Sequence, residues 1–320
     1  MTGAAPAVSD PSAQAASEWS RAGRRPYGAG LYVRGLLRDP VTLGSLVFLL
    51  ATVLGALGAG LIAPHDPIAQ SLMARNLPPL SPAEEGGLHL LGTDFLGRDQ
   101  LSRMIYGARV SLAVGAVSVA LSGTFGVIVG LVAGYFGGRV DSILMRIVDI
   151  QMAFPTLLLA LVILYSAGAS FWNVILVIGV TRWMIYARVA RSLTLTLRES
   201  LFVEAVRALG CPSTRILGRH LLPNILSPLL ALATLEMASV ILTEASLDFL
   251  GLGIQPPESS WGLMLSQGRQ YMTSAWWLVT FPGLAILFTT LAFNLVATWL
   301  RAVSDPVQRW RWLKIRPPGR

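Results

Sequence analysis

Three charged residues lie inside long apolar stretches of this sequence, where they could take part in chemistry. They are Arg182, Glu236 and Glu244. A charged side chain at membrane depth is costly, so it faces a cavity or a partner rather than lipid. Glu236 lies nearest the middle of its stretch. It could line a polar path across the membrane, form a structural ion pair or stay protonated, and the sequence leaves these alternatives open.

Residue sets for ATP binding or metal binding are missing from the sequence. A phosphate-binding loop needs a lysine after its glycines, but the only lysine, Lys314, lies within WLKIRPP. His65, His89 and His220 are scattered along the chain, so we expect no metal site. Cys211 is the only cysteine, which excludes an internal disulfide. We therefore expect a chain without enzymatic activity or cofactor of its own.

The composition is that of a membrane protein. Of the 320 residues, 53% are hydrophobic and only 13% are charged, and the mean hydropathy is +0.60. A soluble domain carries about twice that charged fraction. Several charge-free stretches exceed the roughly 20 residues that cross hydrocarbon. The net charge of +8 does not indicate nucleic-acid binding, because the basic residues lie between and beside the apolar stretches.

We predict an all-α membrane protein with six transmembrane helices within a domain at 41–300. The spans are Val41–Ala63, Val110–Tyr135, Ile143–Tyr165, Phe171–Tyr186, Ile225–Leu247 and Trp276–Leu300. A tail with a surface helix at its end (1–40) precedes this domain, and a basic tail (301–320) follows it. Nineteen of the 25 Lys and Arg residues fall in the two tails, the 135–146 connection and the 188–224 loop. The positive-inside rule therefore makes both termini cytoplasmic and the loops 64–107 and 251–275 extracytoplasmic.

Three glycines in the second span are spaced for close helix packing. Gly126, Gly130 and Gly134 follow one another at intervals of four residues and so share one helix face. We favour packing within the chain over a contact with a second subunit.

The 188–224 loop contains the pattern RESLFVEAVRALGCPSTRILGRHLLPN, which begins at Arg198. Its apolar residues from Leu201 to Leu209 recur at helical spacing. Gly210 lies where a helix C-terminus favours positive φ, and Pro212 prevents continuation. Ser213 is a suitable N-cap for a second helix, which we expect Pro223 to end. By shape alone, this is an ordinary helical hairpin between two spans.

The same loop resembles the EAA loop of ABC importer permeases. The matching residues are Glu204-Ala205-Val206, then Gly210 after three residues, then Leu222-Pro223. Val206 and His220 depart from the general motif, which has alanine and isoleucine there. The ending HLLPN is similar to the dipeptide/oligopeptide branch.

Two further stretches carry the resemblance to that branch, the dipeptide/oligopeptide (nickel-like) importers, and to its C-type transmembrane subunit. They are LGTDFLGRDQLSRMIYGARVSL (Leu91–Leu112) and ILTEASLDFLGLGIQPPESSWG (Ile241–Gly262), in which Asp248 replaces a common serine. LLRDPVTLGSLV followed by APHDP is also similar. Glu244 is, with Glu236, a candidate to line the translocation path. Because it lies in the second stretch, we favour an architectural role for it near the outer end of that path.

The resemblance implies a type I ABC importer-like fold with a cytoplasmic coupling helix. The residues that it assigns to ATPase coupling are Glu204, Ala205, Val206, Arg207, Ala208, Gly210, Leu222 and Pro223. It implies a second homologous permease, two ATPase subunits that bind ATP–Mg, and an extracytoplasmic solute-binding protein as partners. Peptides are the expected substrate; nickel chelates, glutathione or another small solute are the alternative. A stand-alone transporter using Glu236 as a proton carrier and a membrane enzyme or scaffold are the other classes considered.

Overall fold

The computed structural model describes residues 36–37, 39–83 and 86–304. The predicted N-terminal surface helix and the basic C-terminal tail fall almost wholly outside this range. Among the described residues, five helices are long and apolar enough to cross a membrane, or six if one bent pair counts as a single span. The predicted all-α membrane fold is confirmed at this level.

The elements are as follows in chain order. The helices are α1 (Pro40–Leu57), α2 (Ala59–Ile62), α3 (Gln100–Phe136), α4 (Gly138–Met152), α5 (Thr156–Ala167), α6 (Phe171–Arg198), α7 (Leu201–Ala208), α8 (Ser213–Arg215), α9 (Leu222–Phe249), α10 (Trp261–Gly268) and α11 (Trp277–Ser304). A π-helical turn (Ile216–Leu221) joins α8 to α9, and a 3₁₀ turn (Arg269–Tyr271) follows α10. Two short strands, β1 (Ser81–Pro82) and β2 (Leu88–His89), pair antiparallel.

The third predicted span is not one straight helix. In place of a continuous Ile143–Tyr165 helix, α4 and α5 meet at an angle of 84°. Pro155 causes the break, because it has no N–H to donate and disfavours helical backbone at the residue before it, Phe154. The chain therefore turns sharply where hydropathy alone predicted a straight crossing.

Helix α6 continues twelve residues beyond the predicted end of its span at Tyr186. Its additional turns carry Arg188 and Arg191. Arg188 lies 2.7 Å from Asp149, and Arg191 pairs with Asp141, both of these partners being on α4. Because α4 supplies carboxylates to these arginines, the polar sequence remains helical and α6 packs beside α4.

The glycine face of α3 packs against α6, as predicted for packing within the chain. A Cβ on Gly126 would lie 2.2 Å from the carbonyl oxygen of Trp183, and one on Gly130 would lie 2.4 Å from that of Ala187. At Gly134 a Cβ would meet Thr194 at 2.7 Å. The two helix backbones approach so closely that only glycine fits on this face of α3.

We expect Gly130→Ala to destabilise the protein, because the new methyl group meets backbone of α6 that cannot move aside. Overpacking of this kind costs about 1–3 kcal/mol. The measurement is the thermal unfolding midpoint in detergent. Gly123→Ala on the same helix is the control, since its Cβ would make an ordinary 3.5 Å contact with the Tyr186 ring. Equal midpoints for the two variants would contradict the close packing of α3 on α6.

The segment that precedes α3, here called the hairpin segment (residues 64–83 and 86–99), is organised around a buried carboxylate. Asp94 accepts hydrogen bonds from the backbone N–H groups of Leu96 and Arg98 at 2.8 and 2.9 Å. It also pairs with the guanidinium groups of Arg98 and Arg103, both buried. Arg103 in turn donates to Gln267 at 3.1 Å. This network fixes the hairpin segment to the start of α3 and to α10.

Candidate coupling surface and buried charges

Helix α7 lies within the 188–224 loop, between α6 and α8, and presents most of its side chains to the outside. Leu201 is 83% exposed and Leu209, the residue that follows the helix, is 86% exposed. Glu204, Ala205, Arg207 and Ala208 are exposed as well. Small and apolar side chains on one short helix make a surface that another protein can cover closely.

The opposite face of α7 packs against the core of the same chain. Val203 is fully buried, and Val206 packs partly buried against the same core cluster, which includes Ile216 and Leu221. Val206, the departure from the EAA pattern, is therefore on the inward side of the helix. Valine is larger than the alanine that is usual at the third position of the motif. The core accommodates this larger side chain, and the exposed face of α7 does not have to.

Gly210 ends α7 in a Schellman motif. Its φ is +74°, in the left-handed region that favours glycine. Its N–H donates to the carbonyl of Arg207 at 3.0 Å, and the N–H of Cys211 donates to that of Val206 at 3.3 Å. These two bonds are those of the motif. The predicted helix and its glycine C-cap are confirmed.

The second helix of the loop differs from the prediction. Pro212 occupies the cap position of α8, and Ser213 is the first helical residue without a side-chain capping bond. Pro223 does not end the helix but lies in the first turn of α9, where a missing N–H is tolerated. The helical path therefore runs from Ser213 to Phe249 as one candidate span, with Leu222 and Pro223 inside it.

The loop is attached to the C-terminal end of α3. The guanidinium of Arg207 lies over the Tyr135 ring, 5.3 Å from its centroid. The Tyr135 hydroxyl donates to Ser213 at 3.4 Å. Arg198, at the end of α6, donates to the backbone carbonyls of Gly134 and Tyr135 at 3.3 Å. These contacts connect α7 and the end of α6 to the C-terminal end of α3.

Glu236 forms an ion pair between α6 and α9. Its carboxylate lies 3.2 Å from the guanidinium of Arg182, which also donates to Thr243 at 2.7 Å. Both charged side chains are largely buried. The sequence left three alternatives for Glu236: lining a polar path, forming an ion pair or staying protonated. The structure shows the ion pair, and a role in lining the pathway stays a prediction.

Glu244 is fully buried on α9 and accepts a hydrogen bond from Ser111 of α3 at 3.4 Å. One turn later Asp248 binds the Ser260 hydroxyl and the backbone N–H of Ile254. Asp248, which departs from the common serine, thus fixes the loop between α9 and α10. Sequence reasoning assigned it no role, although an acidic residue in an apolar stretch is a signal for one.

The histidines are not scattered in space, which corrects the sequence-based expectation. His65 and His89 stack with ring centroids 4.8 Å apart. Asp99 lies 2.9 Å from Nδ1 of His89 and 3.7 Å from Nδ1 of His65. Only His220 lies away from them, in the π-helical turn. Spacing rules for helices could not detect this group, because a hairpin brings its members together.

The arrangement of helices is also found in a solved structure. The inward-facing MetNI methionine ABC transporter matches with a TM-score of 0.51 and 19% identity, over 63% of this chain and 96% of that one. This similarity shows the fold. The chain is an all-α, multi-pass membrane protein with the type I ABC importer permease fold.

Sequence comparison then identifies the family. A family model described as the binding-protein-dependent transport system inner membrane component matches residues 126–310. A model for the N-terminal transmembrane domain of oligopeptide transport permease C matches residues 31–79. The chain belongs to the family of binding-protein-dependent transport system inner membrane components, and it resembles the C-type permeases within that family.

Similar chains are known from several bacteria. A probable D,D-dipeptide transport system permease protein of Escherichia coli is 39% identical over 84% of this chain and 88% of its own length. A di/tripeptide transport system permease of Pseudomonas aeruginosa is 42% identical over 82% of this chain and 87% of its own. A dipeptide transport system permease of Haemophilus influenzae is 42% identical over 82% and 88%.

Proposed function

We propose that the chain is the C-type transmembrane subunit of an ATP-driven importer for di- and oligopeptides. It forms half of the translocation pathway and couples to separate ATPase subunits through α7. The observation that carries this proposal is the exposed face of α7. The opposite face of this helix is buried against the same chain, and Gly210 ends the helix. The peptide substrate is supported by the names of the dipeptide and di/tripeptide permeases that are similar to it.

The proposed assembly contains a second homologous permease, two ATPase subunits and an extracytoplasmic solute-binding protein. ATP–Mg is bound by the ATPases, since this sequence has no phosphate-binding loop. Leu201 and Leu209 leave apolar surface in water unless a partner covers it. Closure of the ATPases then moves α7 of each permease and switches the pair between inward- and outward-open states as rigid bodies.

The proposed location is the bacterial cytoplasmic membrane with both termini in the cytoplasm. The distribution of Lys and Arg supports this orientation. It places α7 on the ATPase side and the hairpin segment on the extracytoplasmic side, at opposite ends of α3.

Two alternatives are less well supported. The same architecture could carry nickel chelates, glutathione or another small solute, because substrate choice depends on a pathway shared with the second permease. A stand-alone secondary transporter would use Glu236 as its proton carrier. In the structure its carboxylate is instead held by Arg182 at 3.2 Å, in an ion pair that links α6 and α9.

Co-expression with candidate ATPases and the second permease tests the proposed function. We expect a stable complex whose ATP hydrolysis and dipeptide uptake in proteoliposomes both require the solute-binding protein. Uptake driven by a proton gradient, by this chain alone and without ATP, would falsify the proposal. A solute-binding protein that binds nickel chelates and no dipeptide would replace the peptide substrate but keep the coupling mechanism.

A further inference from the structure

The group formed by His65, His89 and Asp99 has the composition of a transition-metal site. One ligand atom of each residue lies within 4.8 Å of those of the other two. Ligand atoms about 2.0–2.1 Å from a tetrahedral zinc ion are roughly 3.3 Å apart. The distances from Oδ1 of Asp99 to Nδ1 of His89 and of His65, 2.9 and 3.7 Å, lie on either side of that value. For all three to reach one ion, the most widely separated pair of ligand atoms, which lies within 4.8 Å, closes to roughly 3.3 Å by side-chain movement.

The backbone holds each of the three residues in place. The N–H of His65 donates to the Ser102 hydroxyl at 3.1 Å. His89 lies on β2, and its carbonyl accepts a hydrogen bond from the N–H of Leu80 at 2.9 Å. Asp99 is the N-cap of α3, and its Oδ2 accepts from both the N–H and the hydroxyl of Ser102 at 2.8 Å. Oδ1 of Asp99 is thereby aimed at the two rings.

One nitrogen of the group lacks a hydrogen-bond partner. Nδ1 of His65 is inaccessible to solvent and makes no hydrogen bond, although its side chain is 19% exposed overall. A buried nitrogen without a partner is costly. An ion between His65 and Asp99 supplies that missing partner. The His89–Asp99 contact gives two members of the group a partner but leaves Nδ1 of His65 without one.

The group also opens onto a cavity. The cavity has a volume of about 350 Å³, and its described lining includes Asp66 and Gln70 beside the three candidate ligands. No lysine or arginine is among the described lining residues, so the two histidines are the only basic side chains among them. Negative charge, two imidazoles and space for water are what a zinc site with an open position requires.

We propose that His65, His89 and Asp99 bind one divalent transition-metal ion, with Zn²⁺ as the best match, and that water completes its coordination from the cavity. Two imidazoles and one carboxylate suit this borderline metal better than Mg²⁺ or Ca²⁺, which prefer oxygen ligands. The ion joins the residues after α2, the β-hairpin and the start of α3. The ion stabilises the hairpin segment, and its binding does not depend on which substrate the importer carries.

The test is Zn²⁺ binding by the full-length chain, purified with a tag that contains no histidine and stripped with chelator. We expect one equivalent of Zn²⁺ per chain and a raised thermal midpoint on its addition. His65→Ala, at the partly exposed ligand, weakens binding at least about tenfold and removes the thermal shift. His220→Ala removes a histidine from the π-helical turn at the other end of the molecule. It leaves the affinity for Zn²⁺ and the thermal shift unchanged.

X-ray absorption at the zinc edge of the unchanged protein is a second measurement, and it does not require any variant to fold. We expect nitrogen and oxygen ligands near 2.0–2.1 Å with the signature of two imidazoles. His65→Gln serves if His65→Ala fails to accumulate. Absence of stoichiometric Zn²⁺, binding lost equally in His220→Ala, or a spectrum without imidazole overturns the proposal.

Discussion

We expect Gly210→Pro to abolish the proposed ATP-driven uptake while the chain still reaches the membrane at a near-normal level. Proline requires φ near −65°, whereas Gly210 has φ of +74°. The substitution also deletes the N–H that donates to Arg207 and closes α7. The local cost is about 3 kcal/mol or more. The end of α7 is then displaced, and its exposed face no longer fits one partner groove.

The level in the membrane is preserved because nothing packs against Gly210. A Cβ at this position would meet no atom within 4 Å, so the effect is on backbone conformation and not on the core. Gly210→Ala, which costs about 1–2 kcal/mol in the same conformation, is expected to give an intermediate loss. The measurements are uptake in proteoliposomes and the amount of ATPase that co-purifies.

Gly218→Ala is the matched control for the loop. Gly218 is also exposed and open, but its backbone is helical, within the π-helical turn. We expect uptake close to that of the unchanged protein. Normal uptake by Gly210→Pro, or an equal loss in Gly218→Ala, shows that the conformation of Gly210 has no part in coupling.

Replacing Asp94 by alanine prevents the hairpin segment from holding its structure, and we expect the largest loss of stability here. Arg98 and Arg103 remain buried without their carboxylate, a situation that costs about 3–5 kcal/mol. Two backbone N–H groups lose their acceptor as well. The thermal midpoint and the yield of folded chain in detergent both fall steeply.

Two variants show whether the charge or the hydrogen bonds of Asp94 matter more. Asp94→Asn keeps an acceptor of the same shape but no charge, so its loss is expected to be intermediate. Asp66→Ala removes an exposed carboxylate from the same segment, with one hydrogen bond to the N–H of Ile68, and costs about 1 kcal/mol. If Asp94→Ala unfolds at the same temperature as Asp66→Ala, the buried network does not stabilise the fold.

Local signals explain what could be predicted from the sequence. Helix α7 follows from apolar spacing, and its end at Gly210 follows from the conformational freedom of glycine. The glycine face of α3 follows from a spacing of four residues. In each case the decisive residues lie within a few turns of one another, so their geometry depends little on the rest of the chain.

The features that were missed depend on contacts between distant parts of the chain. The hydropathy of α6 falls after Tyr186, but Asp141 and Asp149 of α4 neutralise its arginines and the helix continues. Pro223 looks like a helix end until the preceding π-helical turn places it in a first turn. The three candidate zinc ligands lie far apart in sequence and meet only in the folded hairpin segment. No pattern in the local sequence contains this information.

Helix α3 has 37 residues and no proline, and this has a mechanical consequence. At 1.5 Å per residue it is roughly 55 Å long, well beyond the roughly 30 Å of hydrocarbon. Near its C-terminal end, Tyr135 contacts the loop that contains α7. Its N-terminal end is capped by Asp99, beside the hairpin segment. A tilt of about 10° applied at one end displaces the opposite end by roughly 10 Å, as for a stiff lever. Under the proposed coupling through α7, a displacement that the Arg207–Tyr135 contact passes to α3 is carried to the far side of the bilayer by one rigid helix.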